Sequence, residues 1–233
     1  MQERFERVVN SVLVIAAVAI AASVAHHEFG ARQVAAAPPT TASPVFMKEW
    51  QDALPAGIAI GSRDSRVKIV EFADLECPFC GSFHSAVTDV LREQQGRVSL
   101  VFVHFPLSIH RFAVQAARAA ECAEVQGRFG DLVTLVFAKQ DSLGIKSWES
   151  FAAELGMKDT ASFAKCARDP TPVTRIRAGQ VVGERFQIHG TPTVIVNGWR
   201  YNAPPSKEEL LRVVGALLKG ETPFGTTRAG RGN

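Results

Sequence analysis

Two apolar runs, VKIVEFA at 67–73 and VSLVFVHF at 98–105, constrain this chain more than any other feature. Both are nearly continuous in β-branched and aromatic residues, the pattern of strands covered on both faces rather than of strands with one wet face. Between them, Phe79, Phe83, Val87, Val90 and Leu91 recur at helical spacing, and Gly96 is placed to end that helix. A strand, a helix long enough to cross over and a second strand predict a parallel βαβ unit. Cys77 and Cys80 fall where the first strand gives way to the helix, with Pro78 at the first helical position, where its missing N–H costs nothing.

Residues 111–188 carry almost no strand signal but contain four or five helical patterns, from RFAVQAARAAECAEVQG to VTRIRAGQVVGERFQI. A stretch of this length is too long for a loop, so a helical subdomain is expected between the βαβ unit and whatever completes the sheet. Completion is expected in GTPTVIVNGWRYNA: a strand over 192–196, the Asn197-Gly198 turn and a partner strand near 199–202. A last helix follows, with Ser206 as its N-cap and Glu209 three residues on. Upstream, Phe46, Met47, Trp50 and Leu54 suggest a short helix and GIAIG a minor strand. The fold class is therefore α/β, with helices inserted between a βαβ and a ββα unit. The expected domain runs over 45–220, with the insertion at about 111–188 and a disordered tail at 221–233.

The N-terminus bears on the compartment. Arg4 and Arg7 precede an uncharged run over 8–25, longer than the 7–15 apolar residues of an ordinary signal peptide and close to the ~18–20 of a membrane span. Residues 1–30 thus read as a membrane anchor, with a signal peptide cleaved after Ser23-Val24-Ala25 as the alternative, and the Ala/Pro/Thr-rich residues 31–44 as a tether. Either reading exports the rest of the chain. A net charge of +3 without a dense basic block argues against nucleic acid as a partner.

A CxxC alone permits three chemistries. At a helix N-terminus, unpaired N–H groups and the positive dipole end favour a thiolate on Cys77, with Cys80 one turn in as a resolving thiol. Zinc would need four ligands, which Cys122 and Cys166 do not supply as a second CxxC. A structural staple would close too small a loop to stabilise much. Glu71 lies inside a buried run, where an unpaired carboxyl is costly and its pKa should rise; an exposed strand end is the competing placement. Asp74 and Glu76 read as solvated charges, and His189 as the histidine nearest the thiols. Cys122 and Cys166 are expected to pair in an oxidising compartment, with two buried free thiols as the alternative.

Taken together and in order, IVEFADLECPFC, VFVHFPL, AARAAECAEVQGRF and GTPTVIVNG resemble the DsbA-like thioredoxin-fold disulfide oxidoreductases over residues 61 to about 219. The resemblance implies a cis Thr191–Pro192 peptide beside the CxxC, with the Thr191 backbone exposed for a substrate strand. It implies that Glu71 shuttles the proton of the buried cysteine and that Pro192 keeps metal away. It further implies cysteine-containing exported proteins as substrates, a quinone-linked membrane oxidase as redox partner, and disulfide formation as the activity, with a reductase or isomerase as runner-up. No metal or other cofactor is called for, and a monomer is expected. A non-catalytic peptide- or metal-binding domain is the reading from a different class.

Overall fold

A computed structural model of the chain describes residues 43 to 224. The anchor or signal expected over 1–30 and nearly all of the tether lie outside the described residues. Six strands form one mixed sheet: β1 (Val45–Phe46), β2 (Gly57–Gly61), β3 (Val67–Ala73), β4 (Val98–His104), β5 (Thr193–Val196) and β6 (Trp199–Arg200), in the spatial order β1-β6-β5-β3-β4-β2. β3 is central, parallel to β4 with Val67 opposite Val98, and antiparallel to β5 with Glu71 opposite Val194. Helix α1 (Pro78–Glu93) makes the crossover between the parallel pair.

The expected helical insertion is five α-helices: α2 (Ala113–Glu124), α3 (Phe129–Ala138), α4 (Trp148–Glu154), α5 (Thr160–Arg168) and α6 (Thr174–Arg185). Helix α7 (Lys207–Leu218) closes the domain, its first turn capped by Ser206 Oγ accepting from the Glu209 amide at 3.2 Å. Asn197 and Gly198 both adopt positive φ, 42° and 94°, as a two-residue hairpin turn between right-twisted strands requires.

Alternation along β3 sorts its side chains to two cores. Val67, Ile69 and Ala73 face a cluster with Phe83, Val87 and Val90 of α1 and the insertion, each large apolar side chain contributing about 1.5–3 kcal/mol by burial. Val70 and Phe72 face the other way, against Ala53, Ala56, Val182 and Phe186. Glu71, in step with Ile69 and Ala73, therefore points to the α1 side of the sheet.

Two local expectations change. Phe46 begins no helix: Val45–Phe46 pairs with β6 at the sheet edge, and the helix starts at Trp50 as a 3-10 turn over Trp50–Ala56 with Pro55, which has no N–H to donate, inside it. Phe46 instead packs edge-on against Trp199 at 5.3 Å. Of the expected tail, Phe224 packs on Trp199 and Tyr201 with the Arg212 guanidinium over its ring, and residues 225–233 lie outside the described residues.

Candidate active site

Cys77 is the N-cap of α1, with extended backbone angles, and Pro78 occupies the first helical position. The amides of Cys80 and Gly81 donate back to the Cys77 carbonyl at 3.1 and 3.2 Å, winding the first turn tightly around the cysteine. Both thiols are free, and Cys80 is wholly buried while Cys77 is 3% exposed. Thr191–Pro192 is a cis peptide, and the Cys77 thiol lies 3.3 Å from the Thr191 carbonyl, to which it donates. The structure thus brings residues 77, 80, 191 and 192 together from two ends of the domain.

The two sulfurs differ sharply in acidity. The thiol of Cys80 donating to Cys77 is the largest influence on Cys77; burial opposes it, and the Thr191 side chain together with the Cys80 and Phe79 amides adds to the lowering, so that Cys77 falls to about 5. Cys80 moves far the other way. Burial is the main cause, with the thiol's hydrogen bond to Cys77 and the charge of Glu71 adding to it and only the Asp74 amide, 3.5 Å from the sulfur, opposing. At neutral pH Cys77 is the thiolate and Cys80 the thiol.

Glu71 is fully buried on β3, not at an exposed strand end, and neither of its oxygens has a hydrogen-bond partner within the protein. Burial raises its pKa well above the ordinary carboxyl value, and the Cys77 charge adds to the rise. Glu71 lies on the same side of the sheet as Cys80, and its charge bears on that buried sulfur.

Asp74 and Glu76 are not the solvated charges their sequence position suggested. Asp74 is 1% exposed: its Oδ1 accepts from the Glu76 amide and its Oδ2 from the Leu107 amide, both at 2.8 Å, and His110 Nδ1 is 2.8 Å from Oδ2. The half-buried Glu76 accepts from the Phe112 amide. Sequence reasoning sets His110 aside with His84 and His104 as scattered histidines, while His189, the expected neighbour of the thiols, is exposed in the loop before Thr191. Gln140 was missed. Its amide group donates to the carbonyls of Leu75 and Cys77 at 3.0 and 2.9 Å, fastening the insertion to the CxxC turn.

A family model described as thioredoxin matches residues 53–216. The chain belongs to the thioredoxin family. Its fold is the DsbA-like form: BdbD from Bacillus subtilis superposes with a TM-score of 0.62 at 21% identity, covering 77% of this chain and 98% of that one. DsbA2 from Pseudomonas aeruginosa gives a TM-score of 0.57 at 27% identity over 69% of this chain and 93% of its own. Among curated sequences, the Na(+)/H(+) antiporter NhaA 3 from Salinispora tropica is 36% identical over 155 residues, which are 66% of this chain and 24% of that protein. An NhaA 1 antiporter from Mycobacterium sp. (strain KMS) is 33% identical over 159 residues, 67% of this chain and 26% of its own. The chain spans about a quarter of the length of these relatives, and the antiporter name belongs to them. Among the described residues no helix is long and apolar enough to cross a membrane, and no group of three or more acidic, histidine or cysteine side chains is arranged to hold a metal ion.

Cys122 and Cys166, on α2 and α5, are joined by a disulfide that pins two helices of the insertion.

Proposed function

We propose that this chain is a protein thiol:disulfide oxidoreductase that forms disulfides in exported proteins, with Cys77 and Cys80 as its redox pair. The observation that carries the reading is the split between the two sulfurs: a thiolate-prone Cys77 at the helix N-cap against a buried Cys80 whose thiol resists ionisation. In the oxidised pair, a substrate thiolate attacks Cys77 Sγ, the Cys77–Cys80 bond breaks, and a mixed disulfide forms on Cys77. Cys80 departs as a thiolate in a site that disfavours its charge, and Glu71 supplies the proton. The second substrate thiolate then attacks its own partner sulfur and releases Cys77, a fast leaving group because its pKa is low; two electrons have passed from substrate to the pair. Thr191, beside the sulfur, offers its backbone to the substrate strand, and Pro192 fixes that approach.

The work is placed outside the cytoplasm, on the membrane surface if residues 1–30 are retained, with a quinone-linked membrane oxidase returning the pair to its disulfide. Stabilising the Cys77 thiolate stabilises the reduced form, which raises the reduction potential and favours donation of the disulfide. The test is the reduction potential of the Cys77–Cys80 pair in glutathione buffers, in a Cys122→Ala/Cys166→Ala background. A potential well above that of thioredoxin is expected; a thioredoxin-like value overturns the oxidative direction in favour of a reductase or isomerase. A protein that neither oxidises a reduced unfolded substrate nor reduces insulin is a binding domain instead.

Glu71 should cost the fold what it gives the reaction. Its pKa is raised in the folded state, so its favourable contribution is present below the unfolded-state value of 4.5 and is lost as pH rises through the folded value. Glu71→Leu should therefore gain about 2 kcal/mol by removing a buried group without a partner, and gain more at neutral pH than in acid, read as urea midpoints at both pH values. The same variant should form mixed disulfides more slowly in stopped-flow exchange. Equal midpoint gains at both pH values would remove the titration from the account.

A further inference from the structure

The turn that delivers Cys77 is gripped by a loop from across the molecule. Asp74 binds the Leu107 amide and the His110 ring through its side chain, while its main chain reaches both cysteines: the carbonyl accepts from the Cys77 amide at 3.1 Å and the amide lies 3.5 Å from Cys80 Sγ. His110, 18% exposed against a fully buried Asp74 side chain, is held by a carboxylate whose oxygens are otherwise engaged by amides. Paired with this carboxyl group, Nδ1 of the imidazole is the donor.

Cys80 and the Phe79 amide on α1 and Thr191 before β5 act on Cys77 directly, the charge of Cys77 reaches Glu71 on β3 and His110 in the loop between β4 and α2, and Asp74 and Glu76 lie in the turn just ahead of it. The three carboxyl groups, whenever ionised, oppose a thiolate. Pro78 and Phe79, between the cysteines, carry no charge to offset them. Arg111 lies over the Phe112 ring, 5.3 Å from its centre.

We propose that His110, held by Asp74, is a positioning residue for Cys77: as an imidazolium it offsets the carboxylates of the turn and stabilises the Cys77 thiolate from outside the CxxC. The proposal deepens the thiol–disulfide reading and rests on it. Burial pulls the His110 pKa down, but the hydrogen bond to Asp74 and the charges of Asp74, Cys77 and Glu76 outweigh it and set it above the ordinary imidazole value. Coupling of this kind is reciprocal, so whatever the Cys77 thiolate does for the proton on His110, that proton does for the thiolate.

The test is the pH dependence of Cys77 alkylation by iodoacetamide in the reduced-pair form of the full chain. The wild-type midpoint is expected at about 5. In His110→Gln, which keeps a donor for Asp74 and loses the charge, the midpoint should rise by about one unit, cutting the thiolate fraction about tenfold in mild acid. His110→Lys, which restores the charge, should bring it back. An unchanged midpoint in His110→Gln overturns the proposal; so does a rise that His110→Lys leaves in place, which would assign the effect to loop geometry. Alkylation needs neither substrate nor redox partner, so a protein that shows this shift yet transfers no disulfides would overturn the proposed function alone.

Discussion

Cys77→Ser should abolish disulfide transfer, whereas Cys80→Ser should convert the protein into a trap that accumulates mixed disulfides with its substrates. The asymmetry follows from where each sulfur sits. Cys77 is the N-cap sulfur, lies against the Thr191 carbonyl and is lowered to about 5, so it both accepts attack and leaves readily. Cys80 is sealed at 0% exposure and reaches no solvent partner; its task is to attack the mixed disulfide at Cys77, closing the intramolecular bond and releasing the substrate sulfur. Without Cys80, a disulfide on Cys77 can be released only by a second substrate thiol or an added reductant. Non-reducing gels of the two variants after exposure to an unfolded disulfide-bearing protein distinguish them. Equal trapping by both would remove the asymmetry between the two sulfurs, and trapping by Cys77→Ser alone would reverse the assigned roles.

Removing the other cysteine pair should cost stability and leave the chemistry intact. The Cys122–Cys166 bridge spans 44 positions, and chain entropy puts the contribution of a loop that long at about 4 kcal/mol. For a domain of this size the loss corresponds to a fall in melting temperature of about 8–16 °C. Cys122→Ala/Cys166→Ala should therefore melt earlier by that margin, yet titrate at Cys77 as the wild type does, because α2 and α5 meet each other through the bridge and supply none of the groups that shift Cys77. A changed Cys77 midpoint in this variant would show that the bridge acts on the active site and is more than a staple.

What was legible in the sequence was whatever depends on neighbours along the chain. The strand runs at 67–73 and 98–104, the helix between them, the Asn197-Gly198 turn and the Ser206 cap are all local patterns, and each stands where its periodicity or turn chemistry put it. Asp74 was misread because its surroundings are made by residues 107 and 110, which only the closed fold brings to it. A carboxyl group in a turn next to a glutamate has the composition of a wet loop, and nothing nearby marks it as sealed. His110 is set aside for the same reason, being one histidine among six with no short-range pattern to single it out. Phe46 was misassigned because helical spacing over a few residues cannot be told from an edge strand followed by a turn; the aromatic partner Trp199 lies at the other end of the domain.

Gln140 ties the helical insertion to the chemistry through one side chain, since its amide spans the carbonyls of Leu75 and Cys77 at the entry to the CxxC turn. A thioredoxin-type sheet can keep its strands while its insertion diverges, and in this chain such divergence is not free of consequence. Any sliding of the insertion over α1 drags on the peptide that carries Cys77, so the mechanical stiffness of the helices becomes a setting of the sulfur's position. The residues between 111 and 188 thereby act as a mount for the sulfur, held to it at Gln140.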